Sequence, residues 1–375
     1  MPVSFILLDR TVSFLHDDVD EEKKGGYRPE FIKFKYFYSM ILVTGGTGML
    51  GAHLLFTLAK KAEKVKAIYR TEKSLEKVKK VFSYYTEDAK ALYSKIEWIQ
   101  ATLSDIPALE GAFQGVKTVY HAAALVSFDK KDYKEMRTVN IEGTANIVNL
   151  CIAFKVQKLA FVSSIAAIEK SIAKPLIDEK DSFDVETSNY GYAITKHGAE
   201  MEVWRGAQEG LDVFVVNPGI ILGPGFWQEN SGKLFAMVAK ETPFYTSGVT
   251  GFIGVADVVK FLIQGMTSEV KNERFVLVSE NKSFKEILET IAANFQKRKP
   301  FVRVTKPLGA LGWRLSWLKS RLTSSTHAFT KHNAKAIDKH SFYDNSKAKR
   351  FLQFDFEPMT DVIGKVCEQY LQDKN

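Results

Sequence analysis

The stretch MILVTGGTGMLG, residues 40–51, decides the fold. It opens with the short apolar run ILVT and passes into glycines. Gly46, Gly48 and Gly51 satisfy G-x-G-x-x-G, and Gly45, Gly48 and Gly51 satisfy the wider G-x-x-G-x-x-G. Downstream, Leu50, Leu54, Leu55 and Leu58 fall on one face of a helix. A strand, a glycine turn and a helix in that order bring backbone N–H groups at a positive helix end up to a pyrophosphate. Glycine permits both the tight turn and the close approach. The expected ligand-binding set is Gly45, Gly48 and Gly51 with the first helical residues, Met49 and Leu50. A glycine turn with no ligand is the competing reading, and four glycines in this setting outweigh it.

The alternation continues outward. KVKAIYR, IEWIQATL, VKTVYHAAA, KLAFVSSIA, DVFVVNPGI and RFVLVS read as further strands, with amphipathic helices between them. Short apolar strands alternating with helices predict a Rossmann-type α/β fold, a doubly wound parallel sheet covered on both faces. Residues 40–225 are expected to form the dinucleotide-binding domain, completed by 251–280. Residues 226–250 and 281–375 are expected to form mainly a smaller C-terminal substrate-binding lobe. In that lobe Ser283 and Glu286 predict a capped helix over SFKEILETIAANF. Residues 1–39 are expected to lie outside the fold, the alternative being an extra strand from FIKFKYFY.

Composition fits a soluble globular protein, with 375 residues, 45% hydrophobic and 26% charged. The net charge of +8 is unevenly placed: Lys297 to Arg350 holds fourteen Lys/Arg against two Asp. That segment carries no aromatic-basic motif, so nucleic acid is not an expected partner. Two cysteines, Cys151 and Cys367, make neither a disulfide framework nor a metal-ligand spacing, and they suit a reducing cytoplasm. No apolar run reaches about 18 residues, so no integral membrane segment is expected.

Cofactor choice is read at the end of the second strand, in AIYRTEKS. Arg70 there suits a 2′-phosphate, with Lys73 in support, which favours NADP(H). Glu72 keeps NAD(H) open. A second motif lies in SNYGYAITKHGAE, residues 188–200. Tyr192 precedes Lys196 by four residues and shares its helix face, whereas Tyr190 does not. An ammonium beside a phenol lowers its pKa, so Tyr192 is the candidate acid for a carbonyl oxygen. Ser163 and Ser164 end the fifth strand, where ligands sit in open α/β sheets, and either hydroxyl could hold that oxygen.

TGGTGMLG, YHAAA, VNIEGTANIV, VSSIA, YGYAITK and NPGIILGPG occur here in that order. Over residues 40–372 the chain resembles the extended short-chain dehydrogenase/reductases, the NAD-dependent epimerase/dehydratase superfamily. Within it, the chain is most similar to dihydroflavonol-4-reductase-like and 3β-hydroxysteroid-dehydrogenase-like members. The resemblance implies an active site of Ser164, Tyr192 and Lys196, with Asn140 matching the family asparagine. It implies that Lys196 also holds the nicotinamide ribose, that Ala122 and Ala123 line the cofactor, and that Pro218 begins a segment near the nicotinamide. Thr102 stands where the family often has an acidic residue for adenine, and Asp105 comes three residues later.

The other candidates are weighed on their surroundings. His53 and His121 read as packed histidines, Asp257 as a helix cap, and Trp313 and Trp317 as packing for the small lobe, as a lid, or, with Arg314, Lys319 and Arg321, as a membrane-surface contact. The expected activity is NAD(P)-dependent hydride transfer between nicotinamide C4 and a ketone or secondary alcohol. The alternatives are a nucleotide-sugar epimerase or dehydratase with tightly held NAD, and a non-enzymatic NAD(P)-binding regulator. A small-molecule substrate is the expected partner. Family members are often dimers, which leaves a homodimer open.

Overall fold

The computed structural model describes residues 40–61, 64–168, 176–183, 191–310, 312–314 and 337–374. All belong to the unit Phe34–Asn375. Residues 1–39, Tyr190 and Trp317 lie outside the described residues.

Strand β1 (Met40–Thr44) leads through the glycine turn into α1 (Met49–Lys61), followed by β2 (Val65–Tyr69), α2 (Lys73–Ser83), α3 (Ala89–Ser94) and β3 (Ile96–Gln100). Helix α4 (Ile106–Phe113) precedes β4 (Val116–His121), and α5 (Tyr133–Arg137) and α6 (Gly143–Ala153) precede β5 (Lys158–Val162). Helix α7 (Gly191–Gln208) precedes β6 (Asp212–Pro218) and β7 (Ile220–Leu222). Then come α8 (Gly232–Ala239), β8 (Phe244–Tyr245), β9 (Val249–Gly254), α9 (Val255–Thr267), β10 (Glu273–Leu277), β11 (Glu280–Ser283), α10 (Phe284–Asn294) and β12 (Val302–Arg303).

Seven strands form one sheet in the order β10-β6-β5-β4-β1-β2-β3, and every neighbouring pair is parallel. This is the doubly wound sheet expected from the sequence. The order reverses between β1 and β4, which opens a crevice at the carboxyl ends of those strands. Alternation along each strand feeds two cores. Ile41, Val43, Phe214 and Val216 pack with Leu54 and Leu58 of α1 and Val258 and Leu262 of α9 on one face. Leu42, Phe161, Val213 and Val215 pack with Phe113 of α4, Ile147 of α6 and Val203 of α7 on the other. Because both faces are covered, the central strands β1, β4, β5 and β6 are buried along most of their length, whereas β3 at the sheet edge leaves Glu97 and Gln100 exposed.

A second, three-stranded sheet runs β11-β9-β7. Phe252 of β9, Phe235 of α8, Ile291 of α10 and Ile363 of the helix Met359–Gln372 make its core. Ser283 and Glu286 form the expected reciprocal cap of α10. Asp257 does not cap a helix. It lies in the first turn of α9, after the N-cap Gly254, and its carboxylate accepts from the Glu357 backbone N–H at 2.8 Å. Trp313 is half-buried, with the Arg314 guanidinium 4.9 Å from its ring centre.

His53 and His121 are buried. His53 Nε2 faces the Pro224 carbonyl at 3.2 Å, so it carries the hydrogen, and Nδ1 accepts from the Tyr85 hydroxyl at 2.6 Å. Burial pushes the imidazole down to about 4 for His53 and to about 3 for His121, helped there by the Lys196 ammonium. Unfolding exposes both to water, where they bind protons near pH 6.5. The unfolded chain therefore holds more protons than the native one below pH 6.5, and stability falls as pH drops toward 4. Between pH 7 and 5 each buried histidine is expected to cost about 2 kcal/mol. Urea unfolding at the two pH values should show that loss, reduced by about 2 kcal/mol in His53→Gln. An unchanged loss in the variant would mean that His53 is protonated in the native state.

Candidate active site

The crevice between β1 and β4 is built by backbone passing backbone. Gly45 has φ +71°, and a Cβ there would lie 2.5 Å from the Ala123 nitrogen. A Cβ on Gly51 would meet the Gly45 carbonyl oxygen at 2.1 Å. The turn is closed by the Gly48 N–H donating to the Gly45 carbonyl at 3.0 Å, and α1 starts at Met49 with no acidic residue in its first turn. The sequence-predicted Gly45, Gly48, Met49, Leu50, Gly51, Ala122 and Ala123 are thereby gathered at one helix N-terminus. The free N–H groups of that helix end and the side-chain-free cradle fit a dinucleotide pyrophosphate.

A chain of buried hydrogen bonds runs from this loop across the sheet. The Ala123 N–H donates to Thr44 Oγ1 at 3.4 Å, and Thr44 Oγ1 lies 2.6 Å from His121 Nδ1. His121 Nε2 lies 2.9 Å from Thr144 Oγ1, which donates onward to the Asn140 carbonyl at 2.6 Å. Since Thr144 spends its hydrogen on Asn140, His121 must donate from Nε2 and accept at Nδ1. The neutral imidazole imposed by burial is the form this chain needs.

Asn140 sits in a π-helical turn, Thr138–Glu142, between α5 and α6. Its carboxamide oxygen accepts from the Leu125 N–H at 2.7 Å. Its nitrogen donates to the Leu125 carbonyl and to Thr195 Oγ1, both at 3.0 Å. Both amide hydrogens are thus committed, and they tie the segment after β4 to α7.

Helix α7 buries polar groups on its core face: Thr195, Lys196 and Glu200 all have at most 1% exposure. The Lys196 ammonium donates to the Val162 carbonyl at 2.7 Å and lies 4.5 Å from the Phe161 ring centre. Burial lowers it to about 7, against the pull of the Glu200 carboxylate. Tyr192 is hydrogen-bonded to Ser164. Ser164 also accepts from the Ala166 N–H at 3.1 Å, whereas Ser163 turns into the core and donates to Glu200 at 2.5 Å. Of the two serines, Ser164 is the one beside Tyr192.

One expectation is corrected here. Tyr192 is not lowered below the ordinary tyrosine value by Lys196. Burial pushes it up to about 12, and the Ser164 hydrogen bond only partly offsets this. The phenolate is the form that suffers from desolvation, and the ammonium is engaged with the end of β5.

Sequence reasoning missed Glu200 and Arg274. Glu200 accepts from Ser163 and Asn217 on one oxygen, and from Trp204 and Arg274 on the other. Its signal was present, since Tyr192, Lys196 and Glu200 recur every four residues on one helix face. Arg274 follows from no motif, because only the sheet order places β10 beside β6. Arg70 follows β2 and is exposed, as are Glu72 and Lys73 at the start of α2. Thr102 is exposed after β3, and Asp105 caps α4 by accepting from the Ala108 N–H at 3.2 Å. Pro218 ends β6, and Asn217 before it donates to the Ser164 carbonyl at 3.0 Å. Among the described residues no helix is long and apolar enough to cross a membrane.

The chain is 28% identical over 265 residues to tetraketide alpha-pyrone reductase 2 of Arabidopsis thaliana, covering 67% of this chain and 81% of the relative. It is 29% identical over 194 residues to a bifunctional dihydroflavonol 4-reductase/flavanone 4-reductase of Malus domestica, covering 49% and 54%. In fold it is similar to UDP-glucose 4-epimerase of Thermotoga maritima, with a TM-score of 0.71, 19% identity and coverage of 89% and 99%. Residues 43–242, more than half of the chain, match the NAD-binding family described as Male sterility protein. With its glycine cradle and its Tyr192–Lys196 helix, the chain belongs to that family, and so to the extended short-chain dehydrogenase/reductases.

Proposed function

We propose that this NAD(P)-dependent oxidoreductase reduces a ketone to a secondary alcohol and prefers NADPH. The observation that carries the reading is the half-buried Tyr192, hydrogen-bonded to Ser164 beside the end of β5, with Lys196 one helical turn away. When bound at the glycine loop, the nicotinamide supplies the hydride. Ser164 holds the carbonyl oxygen through its hydroxyl. Tyr192 passes its phenolic proton to that oxygen as negative charge develops. A phenol pushed up to about 12 keeps its proton at neutral pH, which suits an acid in the direction of reduction. The Lys196 ammonium then stabilises the phenolate that remains.

Asn140 serves as a positioning residue in this reading, since its amide is committed to Leu125 and Thr195. Gly45, Gly48, Gly51, Met49 and Leu50 hold the pyrophosphate, with Ala122, Ala123 and Pro218 lining the cofactor and Lys196 reaching its ribose. Arg70 and Lys73 favour a 2′-phosphate, because both cations stand exposed where the adenine ribose of a dinucleotide bound in this fold lies. Both cysteines are free, buried thiols, which fits a cytoplasmic setting.

The reductant is tested by titrating nucleotide-stripped protein with NADPH and NADH and following fluorescence quenching. NADPH should bind more tightly, and Arg70→Ala should weaken it about 10- to 100-fold while leaving NADH nearly unchanged. Preference for NADH in the wild type would overturn the assignment of Arg70. The chemistry is tested with a ketone panel that includes dihydroflavonols and alpha-pyrone ketones, read as NADPH consumption. Tyr192→Phe should lower kcat by about 10²- to 10⁴-fold with NADPH affinity kept. A cofactor that cannot be stripped, and whose absorbance changes with a uridine-diphosphate sugar, would replace the reductase reading with an epimerase.

A further inference from the structure

Glu200 is a carboxylate with 0% exposure, placed one turn beyond Lys196 and two turns beyond Tyr192 on α7. Burying such a group is costly unless it is paired and hydrogen-bonded. Its partners come from four places. Ser163 follows β5 and donates at 2.5 Å. Asn217 near the end of β6 donates at 2.9 Å, and its other amide hydrogen goes to the Ser164 carbonyl at 3.0 Å. Arg274 of β10 pairs at 3.1 Å, and Trp204 of α7 donates at 3.3 Å. Arg274 is itself held by the backbone carbonyls of Glu179 and Asp181. Glu200 therefore joins the helix that carries Tyr192 and Lys196 to the strand ends that carry Ser164.

We propose that Glu200 is a positioning residue of this active site, one that fixes the Ser164 segment against α7 and stands one helical turn from Lys196 as its counter-charge. The role rests on the reductase reading for its consequence, but not for its geometry. The charged and titratable groups around Lys196 are few. His121 on β4 is neutral, and the Phe161 ring and Val162 carbonyl face it from β5. On α7 Tyr192 holds its proton, while half-buried His197, near Glu200 and Arg274, is pushed below the ordinary histidine range by burial. Arg274 adds a like charge that Glu200 neutralises. Glu200 is the group that opposes the loss of the Lys196 proton. Glu200→Gln removes that charge and leaves Arg274 uncompensated, so Lys196 should release its proton at lower pH.

The test uses the full chain without nucleotide, labelled with ¹³C at lysine Cε, with the Lys196 signal assigned from Lys196→Arg. In Glu200→Gln the Lys196 midpoint should fall by about one pH unit, a size typical of losing one close counter-charge. In ketone reduction, the alkaline limb of the kcat profile should move by the same amount. kcat near neutral pH should fall about tenfold, with NADPH affinity within about threefold. If Glu200→Gln does not fold, Glu200→Gln/Arg274→Gln removes the unpaired charge and should still lower the midpoint. A midpoint within about 0.3 unit of wild type in a folded variant, whatever its melting temperature, would sink the proposal. A wild type that reduces no ketone would sink the reductase reading instead, and the Lys196 titration would still decide the part played by Glu200.

Discussion

The contact of Gly51 with the carbonyl of Gly45 is the constraint on which the site depends. A single Cβ there would stand 2.1 Å from the carbonyl oxygen, well inside any tolerable contact. Without it, α1 packs directly on the turn that follows β1, and that turn lies against Ala122 and Ala123 after β4. The parallel sheet then supplies the rest. All seven strands end on the same side, so Ala122, Ser164 and Pro218, each at or just after a strand end, converge without any long-range motif having to specify it.

The second constraint is that α7 carries charge into the core. An ordinary helix against a sheet would bury aliphatic residues. Here Thr195, Lys196 and Glu200 occupy the core face, among Ala199 and Val203. Each must find partners, and among them are the π-helical turn at Asn140 for Thr195, the end of β5 at Val162 for Lys196, and Ser163 and Asn217 at strand ends for Glu200. Polar burial costs stability relative to aliphatic packing, but it fixes geometry, because a helix tied at three levels cannot slide along the sheet without leaving a buried group unsatisfied.

The sheet was legible because short apolar strands and capped helices are local signals. The seven strands read from ILVT through RFVLVS are the seven of the sheet, and the Ser283–Glu286 cap stands where it was read. Tyr192, Lys196 and the glycine loop were visible because their spacing is set by one helix or one turn. The choice of Ser164 over Ser163 came from the family resemblance alone, since adjacent residues at a strand end differ only in where each side chain points. Arg274 was invisible for a deeper reason: its partner is 74 positions away, and only the order of strands brings the two together. Asp257 misled because an acidic residue early in a helix resembles a cap, while its carboxylate serves the backbone of Glu357.

The direction of the Tyr192 shift bears on how such a site works. A spacing of four residues suggests that an ammonium activates a phenol by stabilising its anion. The buried setting does the opposite at rest, raising Tyr192 to about 12 and bringing Lys196 down to about 7. Both shifts have one origin, since a low-dielectric surrounding penalises charge of either sign. In the proposed reduction the proton thus stays on Tyr192 until negative charge arises on a neighbouring oxygen. At that moment the same low dielectric strengthens every interaction with the ammonium. In that reading desolvation holds Tyr192 in its protonated form, and the ion pair of buried Glu200 with half-buried Arg274 provides the fixed charges against which Lys196 is set.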